Sequence, residues 1–297
     1  MQQQPNQPWD GNTGGTPWMQ RSLMWMTQGF GLYLFYGIVA VVVCFYMIFR
    51  PRDVRAIYRL RRHLGKSPWS AAARVYGNFY QFGRIIIDRF STYGGRRFEI
   101  IFDQRQAYKE LMHSEEGFVQ FSSHVGNYEL AGYTLSFEHK SLYALVYAGE
   151  TQTVMQNRQR LFGEHRIHMV PVMKDMSHLF TLSNALSKGD TTSLPADRIF
   201  GSPKHFRIPF LGQEASFPIG PFALAVQHDV KAVAMFVVKE PRLRYRILLR
   251  ELPLTDEERQ FPARERMQRL AEKYVAQLEQ VVRTYPSQWF NFYDFWT

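Results

Sequence analysis

From Gly29 to Phe49 the chain runs for 21 residues without a charge, GFGLYLFYGIVAVVVCFYMIF. At about 1.5 Å of helical rise per residue this matches the roughly 30 Å hydrocarbon core of a bilayer, so the pattern predicts one transmembrane helix. A cleaved signal peptide fits less well, because the run is long, starts late and ends in arginines rather than small residues. Upstream, residues 1–22 are rich in Gln, Pro, Gly, Asn and Thr, show no apolar period and read as a loosely attached or disordered tail. Downstream, Val75, Phe79, Phe82 and Ile86 recur at helical spacing within 68–90 and predict an amphipathic helix lying partly in the membrane interface.

Beyond residue 95 the pattern changes to short β-rich runs alternating with helical ones. Strands are predicted at 118–123, 141–148, 166–172, 191–196 and 231–238, with helices at 153–162, 175–187 and 221–228 between them. A further run at 242–251 alternates charged with apolar residues and reads as a half-exposed strand, antiparallel to its neighbour after the Glu240-Pro241 turn. Residues 255–284 read as one long amphipathic helix capped by Thr255. The expected fold class is therefore α/β, with a mixed, mainly parallel sheet flanked by helices and one N-terminal transmembrane helix. The expected divisions are a polar tail at 1–25, the membrane helix at 26–50, a basic and amphipathic helical region at 51–95 and a catalytic domain at 96–297.

Charge adds a topology. The 297 residues carry a formal net charge of +10, and Arg50, Arg52, Arg55, Arg59, Arg61 and Arg62 crowd the C-terminal flank of the apolar run. The positive-inside rule places the large domain in the cytoplasm of a single-pass protein. The arginines serve as a topology determinant on anionic headgroups or as a docking face for an acidic donor. The positive charge alone admits nucleic acid, an anionic bilayer, an acidic carrier protein or a phosphorylated substrate. With Cys44 the only cysteine, an intramolecular disulfide and a cysteine metal cluster are excluded.

The segment FVQFSSHVGNYELAGYTL carries the candidate chemistry, reading as a strand, a small-residue turn and a helix with Glu129 near its start. Residues five apart on one helix diverge by about 140°, so His124 and Glu129 meet only if His124 sits on the preceding turn. Glu129 would then bond one imidazole nitrogen and leave the other as a base. A base with a pKa of about 6.5 suits removal of a proton from a hydroxyl or amine attacking a thioester. The sequence has no GxSxG elbow for a covalent route, no HExxH and no P-loop, and no cofactor or metal is expected. His165 and His168 have the residue types of a metal pair, but in a strand their odd spacing puts them on opposite faces. By itself an HxxxxE spacing is weakly specific.

Several ordered blocks extend it. SSHVGNYE resembles the HxxxxE block of bacterial late acyltransferases of lipid A biosynthesis, in the lysophospholipid acyltransferase superfamily, with Tyr128 where that family usually has Trp. LSKGDTTSLPADRIFGSP is similar to the family's Asp-Arg block, IPFLGQEASFPIGPFALA to its Pro-x-Gly-Pro block, and the closing PSQWFNFYDFW to its aromatic ending. The resemblance implies His124 as general base with Glu129 orienting it. It also implies substrate contacts at Gly126, Asn127, Arg158, Asp197, Arg198, Gly220 and Pro221. Arg198 would hold an oxyanion or phosphate, or pair structurally with Asp197. Phe217, Pro218, Gly220 and Pro221 would form a turn entering a helix.

What this implies is a bacterial inner-membrane acyltransferase. It would move a fatty acyl chain from acyl carrier protein or acyl-CoA to a hydroxyl or amine of a lipid acceptor such as a lipid A precursor, without nucleic acid. Other acceptors, an amino-acid lipid or a pigment, stay open. So do a lipase or thioesterase using the same pocket and a non-catalytic, membrane-tethered lipid-binding protein. The aromatic-rich ending, Trp289 to Trp296, reads as a core-sealing tail or a membrane contact.

Overall fold

The computed structural model describes residues 17–135, 139–146, 166–173, 175–199 and 204–296. Arg158, His165 and the helix expected at 153–162 lie outside these residues.

Among the described residues seven strands form the main sheet: β1 (Glu99–Phe102), β2 (Phe118–Ser122), β3 (Leu142–Val146), β4 (Ile167–Pro171), β5 (Thr191–Pro195), β8 (Lys231–Glu240) and β9 (Arg244–Glu251). Their order is β1-β9-β8-β2-β5-β3-β4, every neighbouring pair parallel except β8 with β9. The expected mixed, mainly parallel sheet is present, and its antiparallel step falls at the Glu240-Pro241 turn, where Arg242 and Leu243 take positive φ. A separate antiparallel hairpin, β6 (His205–Phe210) and β7 (Gln213–Pro218), interrupts the series.

The buried strands explain their own sequences. On β8, Ala234, Phe236 and Val238 join one core while Val233, Met235 and Val237 join a second. Successive side chains leave a strand on opposite faces, so a strand covered on both sides reads as an unbroken apolar run. Phe121 of β2 lies in the first core, ring to ring with Phe222 at 4.9 Å and Tyr274 at 5.8 Å, whereas Phe118 next to Tyr108 belongs to the second.

Helices supply both covers. In chain order they are α1 (Pro17–Met26), α2 (Gly31–Phe49), α3 (Pro51–His63), α4 (Pro68–Tyr93), α5 (Arg105–His113), α6 (Tyr128–Thr134), α7 (Ser177–Ser187), α8 (Gly220–Gln227), α9 (Asp256–Arg259) and α10 (Ala263–Thr284). The long helix expected from residue 255 is two, because Pro262 lacks an amide hydrogen and its ring ends the first turn's continuation. Thr255 caps α9 in a full capping box with Glu258.

Residues 17–26 depart from the expected tail. They form α1, whose Met24 is buried at the far end of α4, and Gln28 just beyond α1 donates to Ser91 O at 3.3 Å. The apolar residues Leu23 and Met24 supply the packing face that the polar composition upstream conceals.

Candidate functional site

β2 and β5 are parallel neighbours with Ser122 opposite Pro195, so both chains leave the sheet at the same edge. The Ala196 amide still bonds Ser122 O at 3.0 Å, which carries the pairing one step past the strand ends. Two residues beyond each end stand His124 and Asp197. The carboxylate of Asp197 accepts the His124 backbone amide at 2.8 Å on one oxygen and faces His124 Nδ1 at 2.8 Å on the other. Trp289 Nε1 donates to it as well, at 3.0 Å. Asp197 is wholly buried, while the His124 side chain keeps 25% of its surface open.

The sequence expectation put Glu129 at that imidazole nitrogen, and the structure puts Asp197 there. His124 does sit on the turn before α6, and Glu129 does lie in the first turn of α6. Glu129, however, is turned toward α4, where it accepts from Tyr93 Oη at 2.8 Å and pairs with Arg89 Nη1 at 2.9 Å. Arg89 Nε also donates to Asn127 Oδ1 at 3.3 Å, and its guanidinium lies over the Tyr128 ring at 4.9 Å. Tyr128 in turn meets the His124 ring edge-on at 5.9 Å. Arg89 and Tyr93 therefore belong to the site, although no motif marks them. The available signal was Arg89 itself, a charge three residues after Ile86 and so on the apolar stripe of Val75, Phe79, Phe82 and Ile86, where an amphipathic helix should be apolar.

The turn itself is held from two sides. Gly126 has φ +58°, and a Cβ there would lie 1.9 Å from Val237 O, so only glycine lets the loop touch β8. The Asn127 amide bonds Val237 O at 2.8 Å, and the Gly126 amide bonds Gln288 O at 2.8 Å. From the other side the closing aromatic segment pairs with the loop, the Phe290 amide bonding His124 O at 2.9 Å. Trp289, Phe290 and Phe295 are buried, so the core-sealing reading of this ending holds, with the addition that it clamps the candidate base. Gly126→Ala is expected to destabilise the fold by about 2 kcal/mol or more, since both backbone strain and a steric clash oppose it. Denaturant unfolding of the detergent-solubilised variant measures this.

Electrostatics set the protonation states. Burial pulls the His124 imidazole below its usual 6.5, and Arg198 and Arg89 pull the same way, while Asp197 opposes them. Burial alone would raise Asp197, but the charge and hydrogen bond of His124, together with Arg198, outweigh it and bring it down to about 2. The stable arrangement at neutral pH is thus an ionised Asp197 and a neutral His124. With Nδ1–H directed to the carboxylate, Nε2 carries the free lone pair.

Arg198 does not form the pair with Asp197 that the sequence left open. Its guanidinium donates to Phe290 O and sits 5.7 Å from the Tyr293 ring centroid. Of the four residues expected to form a turn, Phe217 and Pro218 end β7 while Gly220 and Pro221 already open α8, only Ile219 lying between, and the following Phe222 packs under Phe121. That places them beneath β2 and in support of the sheet edge. His168 stands on β4, exposed and stacked on Tyr143 at 4.7 Å.

The chain matches the family model of bacterial lipid A biosynthesis acyltransferase over residues 69–297. No curated protein matches it.

Proposed function

Because the chain belongs to the bacterial lipid A biosynthesis acyltransferase family, we propose that it transfers a fatty acyl chain from an acyl thioester to a hydroxyl or amine of a lipid A precursor, with His124 as the general base. Acyltransferase chemistry comes with the family. The observation that carries the choice of base is the His124 imidazole with Nδ1 fixed on the buried Asp197 carboxylate and a quarter of its side-chain surface open.

In the reaction, Nε2 takes the proton of the acceptor hydroxyl or amine as its oxygen or nitrogen forms a bond to the thioester carbonyl carbon. The imidazolium is stabilised by Asp197 while the carbon–sulfur bond breaks, and it returns the proton to the departing thiolate. No acyl-enzyme forms. Glu129 acts as a positioning residue, holding Arg89 and Tyr93 and thereby the start of α6. Arg158 and Arg198 are the proposed cations for the developing oxyanion or for an acceptor phosphate, and Gly126 and Asn127 are proposed to contact substrate from the turn that carries His124. Acyl carrier protein is the favoured donor, because an acidic carrier complements a chain of net charge +10, and acyl-CoA is the alternative. The family and the apolar N-terminal helix are consistent with an inner-membrane protein.

Purified protein supplied with acyl carrier protein thioester and a lipid A precursor should yield acylated lipid. Release of free fatty acid alone, with no acylated lipid, would show a thioesterase instead. The pH profile adds a check on the base. A base with a lowered pKa loses activity only when pH falls below its value, so the acid limb of kcat/KM should lie below 6.5. Arg198→Gln removes a cation that opposes imidazolium formation, so it should move that limb to higher pH.

A further inference from the structure

We infer that α2 does not cross the bilayer but lies in its plane, with its free apolar face in one leaflet and both of its ends on the side of the catalytic domain. The inference concerns attachment and does not depend on the acyl-transfer chemistry.

It rests on what stands behind α2. The helix is apolar and long enough to span, yet it buries one stripe, Leu32, Tyr36 and Val43, against α4 along most of its length. Near one end Tyr36 Oη donates to Asp88 of α4. In the middle Val39 approaches Gly83 so closely that a Cβ there would lie 2.5 Å from Val39 Cγ1. Toward the other end the Tyr46 ring lies 5.7 Å from that of Phe79. The two helices therefore run antiparallel in contact.

The same stretch of α4 is docked on the catalytic domain by adjoining positions, Asp88 serving both contacts. Asn78 Nδ2 donates to Pro286 O at 3.2 Å, Phe82 packs on Phe290 at 5.1 Å, Asp88 binds Lys239 and Tyr245, and Tyr93 reaches Glu129. Asn78 to Tyr93 spans about 22 Å at the helical rise. An α2 perpendicular to the membrane would thus draw some 20 Å of the catalytic domain to hydrocarbon depth. It would take with it Arg84, whose guanidinium lies 4.7 Å from the Tyr36 ring centroid. A charge at the bilayer centre costs about 3 kcal/mol even on the mildest scale, and irregular backbone is not tolerated against lipid.

Laid flat, the helix meets both demands. Its outward residues, among them Leu34, Val41, Phe45 and Ile48, are exposed and apolar and face the acyl chains. At one end α1 exposes Trp18 and Trp25, side chains suited to the headgroup layer. At the other, α3 turns Ile57 and Leu60 inward and leaves Arg52, Arg55 and Arg62 exposed, next to an exposed Trp69. Such a cationic flank fits an anionic leaflet.

Single cysteines introduced in a Cys44→Ser background test this: Gln7→Cys and Arg21→Cys before α2, Lys66→Cys after it, and Gln268→Cys on the domain. Each is labelled with a membrane-impermeant maleimide in spheroplasts and in inverted inner-membrane vesicles, with detergent-permeabilised samples giving total reactivity. All four should react in inverted vesicles and lose labelling in spheroplasts. Labelling of Gln7→Cys or Arg21→Cys in spheroplasts, with Lys66→Cys and Gln268→Cys protected there, is the single-pass result and would overturn the inference. Release of the wild-type protein by alkaline carbonate as a soluble dimer would overturn it too, since a second copy would then cover α2.

Discussion

Asp197→Asn is expected to lower acyl transfer by about two orders of magnitude or more, close to the loss from His124→Ala, which removes the base itself. Asparagine keeps the shape of the side chain and one acceptor oxygen for the His124 amide or Trp289. It no longer selects the tautomer with the proton on Nδ1, and it withdraws the negative charge that stabilises the imidazolium. The wrong tautomer carries its proton on Nε2 and cannot accept one from the substrate. Because Asp197 also raises the His124 pKa, its loss should move the remaining activity's acid limb to still lower pH. Glu129→Gln should behave differently. It weakens the contacts with Arg89 and Tyr93, so it should reduce thermal stability together with activity and leave the acid limb closer to its original position. Steady-state rates and pH profiles of the three variants, measured beside their unfolding midpoints, separate these roles.

Lys239→Met is expected to cost about 3–5 kcal/mol of stability, the usual consequence of leaving one partner of a buried ion pair alone. Lys239 and Asp88 are both nearly inaccessible, and Asp88 additionally accepts from Tyr36 and Tyr245. Four elements meet at that carboxylate, α2, α4, β8 and β9, so its pairing joins the membrane-facing helices to the sheet. Methionine fills the volume of the lysine stem but leaves Asp88 without its cation. The double variant Asp88→Leu with Lys239→Met should recover much of the loss, because no charge is then buried alone. Denaturant melts of the detergent-solubilised proteins measure both, and equal stability of Lys239→Met and wild type would show that the pair contributes nothing.

The strand runs around β2, β5, β8 and β9 were legible because strands buried on both faces read as unbroken apolar runs, whereas β9, interior between β1 and β8, alternates Arg244 and Arg246 with buried Tyr245 and Ile247. The hairpin β6–β7 was not read, although His205 and Arg207 alternate with buried Phe206, Ile208 and Phe210. Its turn places Leu211 at φ +52°, and leucine is no turn signal; only Gly212 beside it is. The strand, turn and helix reading of the HxxxxE segment placed His124 on the turn before the helix, where it stands, although the contact with Glu129 that was to require this does not form. Its partner was a different matter. Asp197 lies 73 residues away and arrives through the pairing of two strands, which no spacing within a segment encodes. Arg89 and Tyr93 were hidden for a related reason: an amphipathic helix shows where its apolar face is, whereas their polar groups point into a buried seam against Glu129.

The reading that joins these observations is an acyltransferase whose base is His124. Lipid mass spectrometry of a strain lacking this gene, complemented with wild type or with His124→Ala, tests it most directly. Wild type should restore a lipid heavier by one acyl chain, and His124→Ala, present at the same level in the membrane, should leave the underacylated species. Full acylation by His124→Ala would contradict the account.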